Sequence, residues 1–345
     1  MKNRARQHAS LITSFVLVVS LLVLPTINPA QSNKNKGEGN QSQKTTFSGQ
    51  ATVVNATVAG QPIILSDTGA LDSTGGEKEA SLLEEEVQGV LTAEVLHAST
   101  IGNGNHSRSE ASVANLNLTV GGNTITADFL RASAQAVCDN GASASGSSEI
   151  VNLVINDGQA IAVTGEPNQT IDLPLGGQVI INEQTSTRQG DITVNALHVI
   201  IPGVADVIIA SAHADITCGR VTCPGKDFVT GGGWIIAPSG SKGTFGVSGG
   251  IKGKGLWGHL TYIDHGANLK VKGISVTGYT VTAPNSRRIK GTCEINGVRG
   301  TYTVEVTDNG EPGKGKDLFT ITLSDGYTAG GLLEGGNIQL HTPCK

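Results

Sequence analysis

Three short stretches carry residue types at spacings that could do chemistry. "GVSGG", residues 246–250, has the Gly-x-Ser-x-Gly pattern of a nucleophile elbow, which would present Ser248 for acyl transfer. His265 or His341 would then serve as base, and Asp264 or Asp325 as orienter. Gly253, Gly255 and Gly258 in "GKGLWG" match the dinucleotide fingerprint literally, and "GEPGKGKD", from Gly310 to Asp317, falls one residue short of a phosphate-binding loop. Both nucleotide readings need a helix N-terminus whose amides meet the phosphates. Directly after the first glycine motif, "HLTYIDHG" reads as strand and turn. In the second, Asp317 stands where a Ser or Thr would hold Mg²⁺, and Pro312 removes a donor. No helical pattern comes after Ser248 either. A fourth stretch, "DFVTGGGWIIAP" (227–238), places Phe228, Gly232, Trp234 and Ile236 on one face of a strand. Its bare Cα positions let a neighbouring strand or a large ring approach closely.

Ligand chemistry is sparse. His259 and His265 share a face by parity but lie roughly 20 Å apart at strand rise, too far to hold one metal. Cys218 and Cys223 have no second pair at zinc-finger spacing. The acidic loops "SDTGALDSTGGEKE" and "TDNGEP" are candidate Ca²⁺ ligands without EF-hand spacing, and no other cofactor is expected. Trp234, Trp257 and Tyr262 are the candidate contacts for a glycan or other small ligand.

The elements that would position these residues are strands. In "DLFTITLSDG" and "GTYTVEVTDNG" apolar and polar residues alternate with period two. Asn296-Gly297 between two such runs is a hairpin signal, because both turn residues need positive φ. That turn places Ile295 opposite Val298, Glu294 opposite Arg299 and Cys293 opposite Gly300. In "NLKVKGISVTGYTVT" the apolar phase flips at Gly273 and Gly278, which marks β-bulges of the kind a closing barrel uses. About eight strands are expected, beginning near Val229, Thr244, Leu256, Leu269, Arg288, Val298, Asp317 and Gly336. They make a small antiparallel barrel, with a sandwich as the alternative. The preceding region is β-like but aromatic-poor, holding only Phe47 and Phe129 between residues 31 and 223. Gly121-Gly122 and Asp157-Gly158 mark two hairpins there. "KEASLLEEEV" reads as strand in preference to a short helix.

The expected fold class is therefore all-β, with a sandwich-like domain over residues 46–220 and a Gly-rich barrel-like domain over 224–345. Charge divides at the same place. Residues 45–223 hold 5 Lys+Arg against 19 Asp+Glu, and residues 224–345 hold 13 against 9. Such opposite halves either pack together or join neighbouring molecules. No nucleic-acid partner is expected.

Residues 1–30 read as a signal peptide. Lys2, Arg4 and Arg6 precede an apolar run from Leu11 to Leu24, too short for a comfortable span, and cleavage is expected after Ala30. Residues 31–45 contain no aliphatic or aromatic side chain and read as a disordered linker. No span is expected in the mature chain. Export makes disulfides the expected state of Cys138, Cys218, Cys223, Cys293 and Cys344, of which one is left over.

"SGQATVVNATVAG", "ILSDTGALDSTGG", "VLTAEVLHAST" and "ASAHADITC" resemble the bacterial choice-of-anchor P proteins. "FVTGGGWI", "GHLTYIDHG", "LKVKGISV", "VTDNGEPGKGKD" and "GGNIQLH" resemble the domain that often comes after such regions. The resemblance covers most of residues 47–342. It implies export, a place at the cell surface or outside it, and no catalytic residue. The family's C-terminal anchors have no counterpart in "QLHTPCK". The family pattern pairs Cys138 with Cys218. In the second domain Cys293 is expected to pair with Cys344, leaving Cys223 odd, with Cys223–Cys344 as the rival. The expected function is a non-enzymatic structural or binding role toward an envelope or matrix component, with self-association as a further expectation. A glycan-binding module is the alternative, and a secreted hydrolase the third reading.

Overall fold

The computed structural model describes residues 44–139, 141–174, 176–219, 227–252 and 255–342, and every strand pairing among them is antiparallel, with no helix. The signal segment with Ala30, the linker, Cys223 and Cys344 lie outside the described residues.

The first twelve strands are β1 (Thr46–Val58), β2 (Gln61–Asp67), β3 (Gly76–Val87), β4 (Leu91–Asn103), β5 (His106–Val120), β6 (Asn123–Cys138), β7 (Ala142–Val151), β8 (Val154–Ile155), β9 (Gln169–Asp172), β10 (Gln178–Thr185), β11 (Asp191–Ile201) and β12 (Ala205–Thr217). They form two sheets. The outer one runs β2-β1-β12-β11-β10-β9; the central one runs β3-β4-β5-β6-β7, with β8 on β6. The two pack face to face over one apolar core. Period-two alternation supplies it: Leu96 and Ala98, Ala111 and Val113, and Leu130 through Ala136 in steps of two face Val207, Ile209, Ala212 and Ala214. The interior is largely Ala and β-branched, with Phe47 as an aromatic at its edge, so the sheets approach closely. A Cβ on Gly49 would sit 2.5 Å from the Thr100 hydroxyl across the gap.

Cys138, at the end of β6, is disulfide-bonded to Cys218, just past β12, with Cα atoms 5.6 Å apart. The bond ties the central sheet to the outer one.

The remaining nine strands are β13 (Phe228–Ile236), β14 (Lys242–Lys252), β15 (Gly255–Asp264), β16 (Leu269–Ala283), β17 (Ser286–Ile295), β18 (Val298–Thr307), β19 (Leu318–Leu323), β20 (Thr328–Leu332) and β21 (Gly335–His341). They form one sheet, ordered β20-β19-β18-β17-β16-β15-β14-β13-β21, curled into a half-barrel around a second core. The Asn296-Gly297 register is as the turn requires, and register shifts fall at Gly273/Ser275, Val276/Gly278 and Val281/Ala283. All eight expected strands are present. The ninth, β20, escapes the alternation because "TAGGL" carries two glycines in five residues. The expected return strand after Asp157-Gly158 is also absent: the turn forms, but only Ile161 N bonds back, to Leu153 O.

Cys293 is a free thiol in the half-barrel core, not the Cys344 partner the sequence led us to expect. It faces Gly300 in the β17–β18 ladder, and burial pushes its thiol up to about 11, so it stays protonated and inert.

The first and last strands of the half-barrel sheet, β20 and β21, are not ladder partners. Two carboxylates stand in for a strand at the free edge of β21. Asp317 accepts the Ile338 amide at 2.9 Å and Asp308 accepts that of Leu340 at 2.9 Å, while Asp317 also takes the Asn309 amide at 2.8 Å. The loop that mimicked a phosphate-binding motif is thus an edge clamp. Replacing Asp317 by Asn puts an amide donor against a backbone donor. The expected loss is about 1–3 kcal/mol in urea unfolding; an unchanged midpoint would contradict the clamp.

The three sheets lie in one compact unit, Ser42–Lys345, although the sequence separates two domains. The half-barrel packs through β14 and β15 onto the far face of β3 and β4, so the central sheet is covered on both sides. Lys242–Asp128 (2.6 Å) and Lys270–Glu84 (2.5 Å) join the basic half-barrel to the acidic sheet.

Candidate functional site

Beside a small apolar cluster of Leu83, Val95 and Ala114 against Ile263, the far face of the central sheet is mostly polar, and strand register aligns it in rows. One row is Ser81, His97, Ser112, Arg131 and Glu149; the next is Glu79, Ser99, Glu110, Ser133 and Ser147. The third brings Arg108, Gln135 and Ser145 together. In a two-layer sandwich this face would meet water. Here the half-barrel covers one side of it and leaves the other open.

The covered side contains Ser, His and Glu within hydrogen-bonding reach. Ser81 Oγ lies 2.9 Å from His97 Nδ1 and donates to Glu79, whose carboxylate is 3.7 Å from the same nitrogen. Glu79 also hydrogen-bonds Ser248. Burial pushes Glu79 up to about 6. Burial, helped by His259, drives His97 down to about 3; burial, helped by Lys272, drives His259 down to about 4. The constellation is sealed: His97 is 1% and Ser248 0% exposed. Ser248 sits mid-ladder opposite Thr230 and His259, and its Oγ accepts the His259 amide at 3.0 Å. No strand-to-helix elbow forms around it, and a substrate carbonyl has no path to it.

Further along, Glu110 pairs with Arg131 at 2.8 Å, and Glu149 accepts the Gly336 amide at 3.0 Å. Burial pushes the Glu110 carboxyl up to about 7 against the pull of Arg131.

The glycines explain how a barrel sheet settles on this face. Gly232 and Gly246 lie directly over His97 and Ser112; a Cβ on Gly232 would come 2.5 Å from Ser112 Oγ, and one on Gly246 would come 3.0 Å from His97 Cβ. Gly231 opposes Ile338 of β21, where a Cβ would come 2.7 Å from the Asn337 carbonyl. The triple glycine is a two-sided packing surface in a strand, with no helix after it. Gly231→Ala must push β13 and β21 apart, because its Cβ would meet backbone atoms of Asn337 and Ile338. Its expected loss is about 1–3 kcal/mol by urea unfolding, and a neutral result would contradict the contact.

The aromatic candidates do not converge. Trp234 and Trp257 lie at opposite ends of the β13–β15 ribbon, in register rows six residues apart, which is roughly 20 Å at strand rise. Trp234 is half-buried beneath Lys242, whose Nζ is 5.1 Å from the ring. Trp257 is half-buried and tilts against Phe228, 5.8 Å between centroids. Tyr262, expected as a ligand contact, is instead a core residue. It is fully buried beside Phe319, and its hydroxyl meets that of Tyr327 at 2.7 Å. Alternation put it on a strand but could not say which face turned inward.

Among the described residues no group of three or more His, Cys, Asp or Glu is placed to hold a metal. In the acidic segments, Asp67 accepts from Gln50, Thr52 and Gly69. Glu94 accepts from Asn115 at 2.8 Å and lies 3.3 Å from His265.

The open side forms a cleft of about 290 Å³ between β6–β7 and the loop before β19. Arg108, Gln135 and three serines line its floor, with Glu311 and Gln339 opposite. Sequence reading missed these residues. The available signal was Arg108 itself, a cation inside an otherwise alternating strand of a region with only 5 basic residues.

No protein-family model matches the chain, and no curated protein matches it. Among solved structures, one titled "putative AttH (NE1406) from Nitrosomonas europaea" aligns over 86% of this chain and 92% of that one, at 10% identity and a TM-score of 0.20. At that score the likeness carries no argument.

Proposed function

We propose that the chain is an exported, non-enzymatic protein of the cell surface or extracellular space, with a structural or binding role. The observation that carries this reading is the polar face. His97 on this face and Ser248 on the glycine-rich sheet above it are sealed between the two layers, while hydrogen-bonding groups at the rim stay open. The Cys138–Cys218 bond supports an oxidising compartment. The resemblance to choice-of-anchor P proteins agrees with that location. We read the sandwich and the half-barrel as two domains with separate cores. Envelope or matrix components are the expected partners.

The test is turnover of a panel of chromogenic ester, peptide and glycoside substrates by the native protein and by Ser248→Ala. The expected result is no turnover by either. Activity abolished by Ser248→Ala would overturn the non-enzymatic reading.

A further inference from the structure

We propose that the open cleft on β6 and β7 is a binding site for a neutral saccharide. This inference rests on the binding role proposed above and names its ligand class.

The argument starts from which polar groups remain unused. Arg108 donates through Nε to Gln135 Oε1 at 3.2 Å and through one Nη to His106 at 3.5 Å. Among the described residues no carboxylate lies within ion-pair distance of it; Glu311 and Asp308 act on it from further away. Glu311 accepts from Asn337 and Gln339 through Oε1, both at 3.0 Å, and its second oxygen has no protein donor among the described residues. The hydroxyls of Ser133, Ser145 and Ser147 likewise have no partner among the described residues.

The cleft thus offers free donors on Arg108 and Gln135 and free acceptors on Glu311 and Gln339. It also offers three hydroxyls that do both. One cation faces one anion, so a charged ligand of either sign meets a like charge at one wall. A sugar hydroxyl is both donor and acceptor and carries no charge, and several vicinal hydroxyls match this mixture. The two serine rows stand two residues apart along the strands, roughly 7 Å, which is comparable to the span of one sugar ring. At about 290 Å³ the space suits one sugar unit, and its open rim lets a chain continue past it. No aromatic platform lines it, so the expected affinity is weak and enhanced by repetition on a polymer.

The test is affinity electrophoresis of the native protein in gels that each contain one soluble neutral polysaccharide: a glucan, a galactomannan or a xylan. Ser133→Ala/Ser147→Ala and Trp257→Phe are run alongside. Wild type should be retarded by at least one polymer. The double variant should show an apparent Kd at least tenfold higher with an unchanged melting temperature, and Trp257→Phe should behave as wild type. If the double variant melts early, exposed Ser145→Val supplies the same test. No retardation by any polymer, or retardation that the serine variants keep, overturns the cleft assignment. Retardation kept by the serine variants but abolished by Trp257→Phe would move the site to the aromatic and leave the binding role standing. Binding of glycine in place of any polymer would identify a zwitterion site using Arg108 and Glu311, and would overturn the saccharide class.

Discussion

Replacing Cys138 and Cys218 together by serine is expected to lower the unfolding free energy by about 4.5 kcal/mol. This is the loop-closure entropy of a cross-link spanning 80 residues. The reason lies in where the bond sits. Strands β7 to β12 fall between the two cysteines, so the bond removes freedom from an unfolded segment that must later span both sheets of the sandwich. Among the described residues no other cross-link joins the central sheet to the outer one. Urea unfolding of oxidised protein against the double variant measures the loss. A difference under about 1 kcal/mol would mean that the unfolded chain is already compact there, or that native strain cancels the gain.

Acid is expected to loosen the molecule below pH 5. His97 and His259 have folded pKa values of about 3 and about 4, below the ordinary 6.5, because burial disfavours their charged forms. A depressed histidine contributes stability that is present above 6.5 and lost as pH falls toward the folded value, since the unfolded chain takes the proton first. At pH 5 these two cost about 4 kcal/mol together. His341, stacked on Phe228 and pushed well below 6.5 by burial, adds in the same direction.

Glu79, Glu110 and Asp317 oppose them. Their folded values, raised by burial to about 6, about 7 and about 6, give stability that is full below their ordinary values of 4.5, 4.5 and 3.8 and lost as pH rises through the folded ones. The carboxyls therefore flatten the profile between pH 7 and 5. Below 5 their gain levels off as the unfolded chain also protonates, and the histidine loss shows. Urea midpoints measured from pH 8 to 4 should be level and then fall. Glu79→Gln removes one opposing carboxyl and should move the fall to higher pH. A midpoint that rises on acidification below pH 5 would contradict the sealed polar layer.

Much of this architecture is legible in the sequence. Asn296-Gly297 sets the β17–β18 register because two positive-φ residues admit one turn geometry. Gly273 and Gly278 mark bulges because the apolar phase flips beside them. Gly231 to Gly233 read as bare backbone for close approach, although their two partners, β21 and the His97–Ser112 row, could not be named. Other features were hidden for physical reasons. A polar row such as Ser81, His97 and Ser112 has the same period-two pattern whether water or a third layer covers it. The cover becomes visible only through Gly232 and Gly246, which lie far away in the chain. Tyr262 and Trp257 share one strand, yet only one of them turns into the barrel. Arg108, Glu311 and Gln339 come from distant segments, so no local spacing announces their cleft.

We propose export and folding in an oxidising compartment. The most direct test is a non-reducing peptide map of the native protein from medium, envelope and cytoplasmic fractions, alkylated before and after unfolding. We predict medium or envelope material that begins at Gln31, with a linked Cys138–Cys218 peptide pair and a Cys293 that reacts only once the chain is unfolded. A cytoplasmic pool that keeps residues 1–30 and carries Cys138 and Cys218 as free thiols would contradict the account.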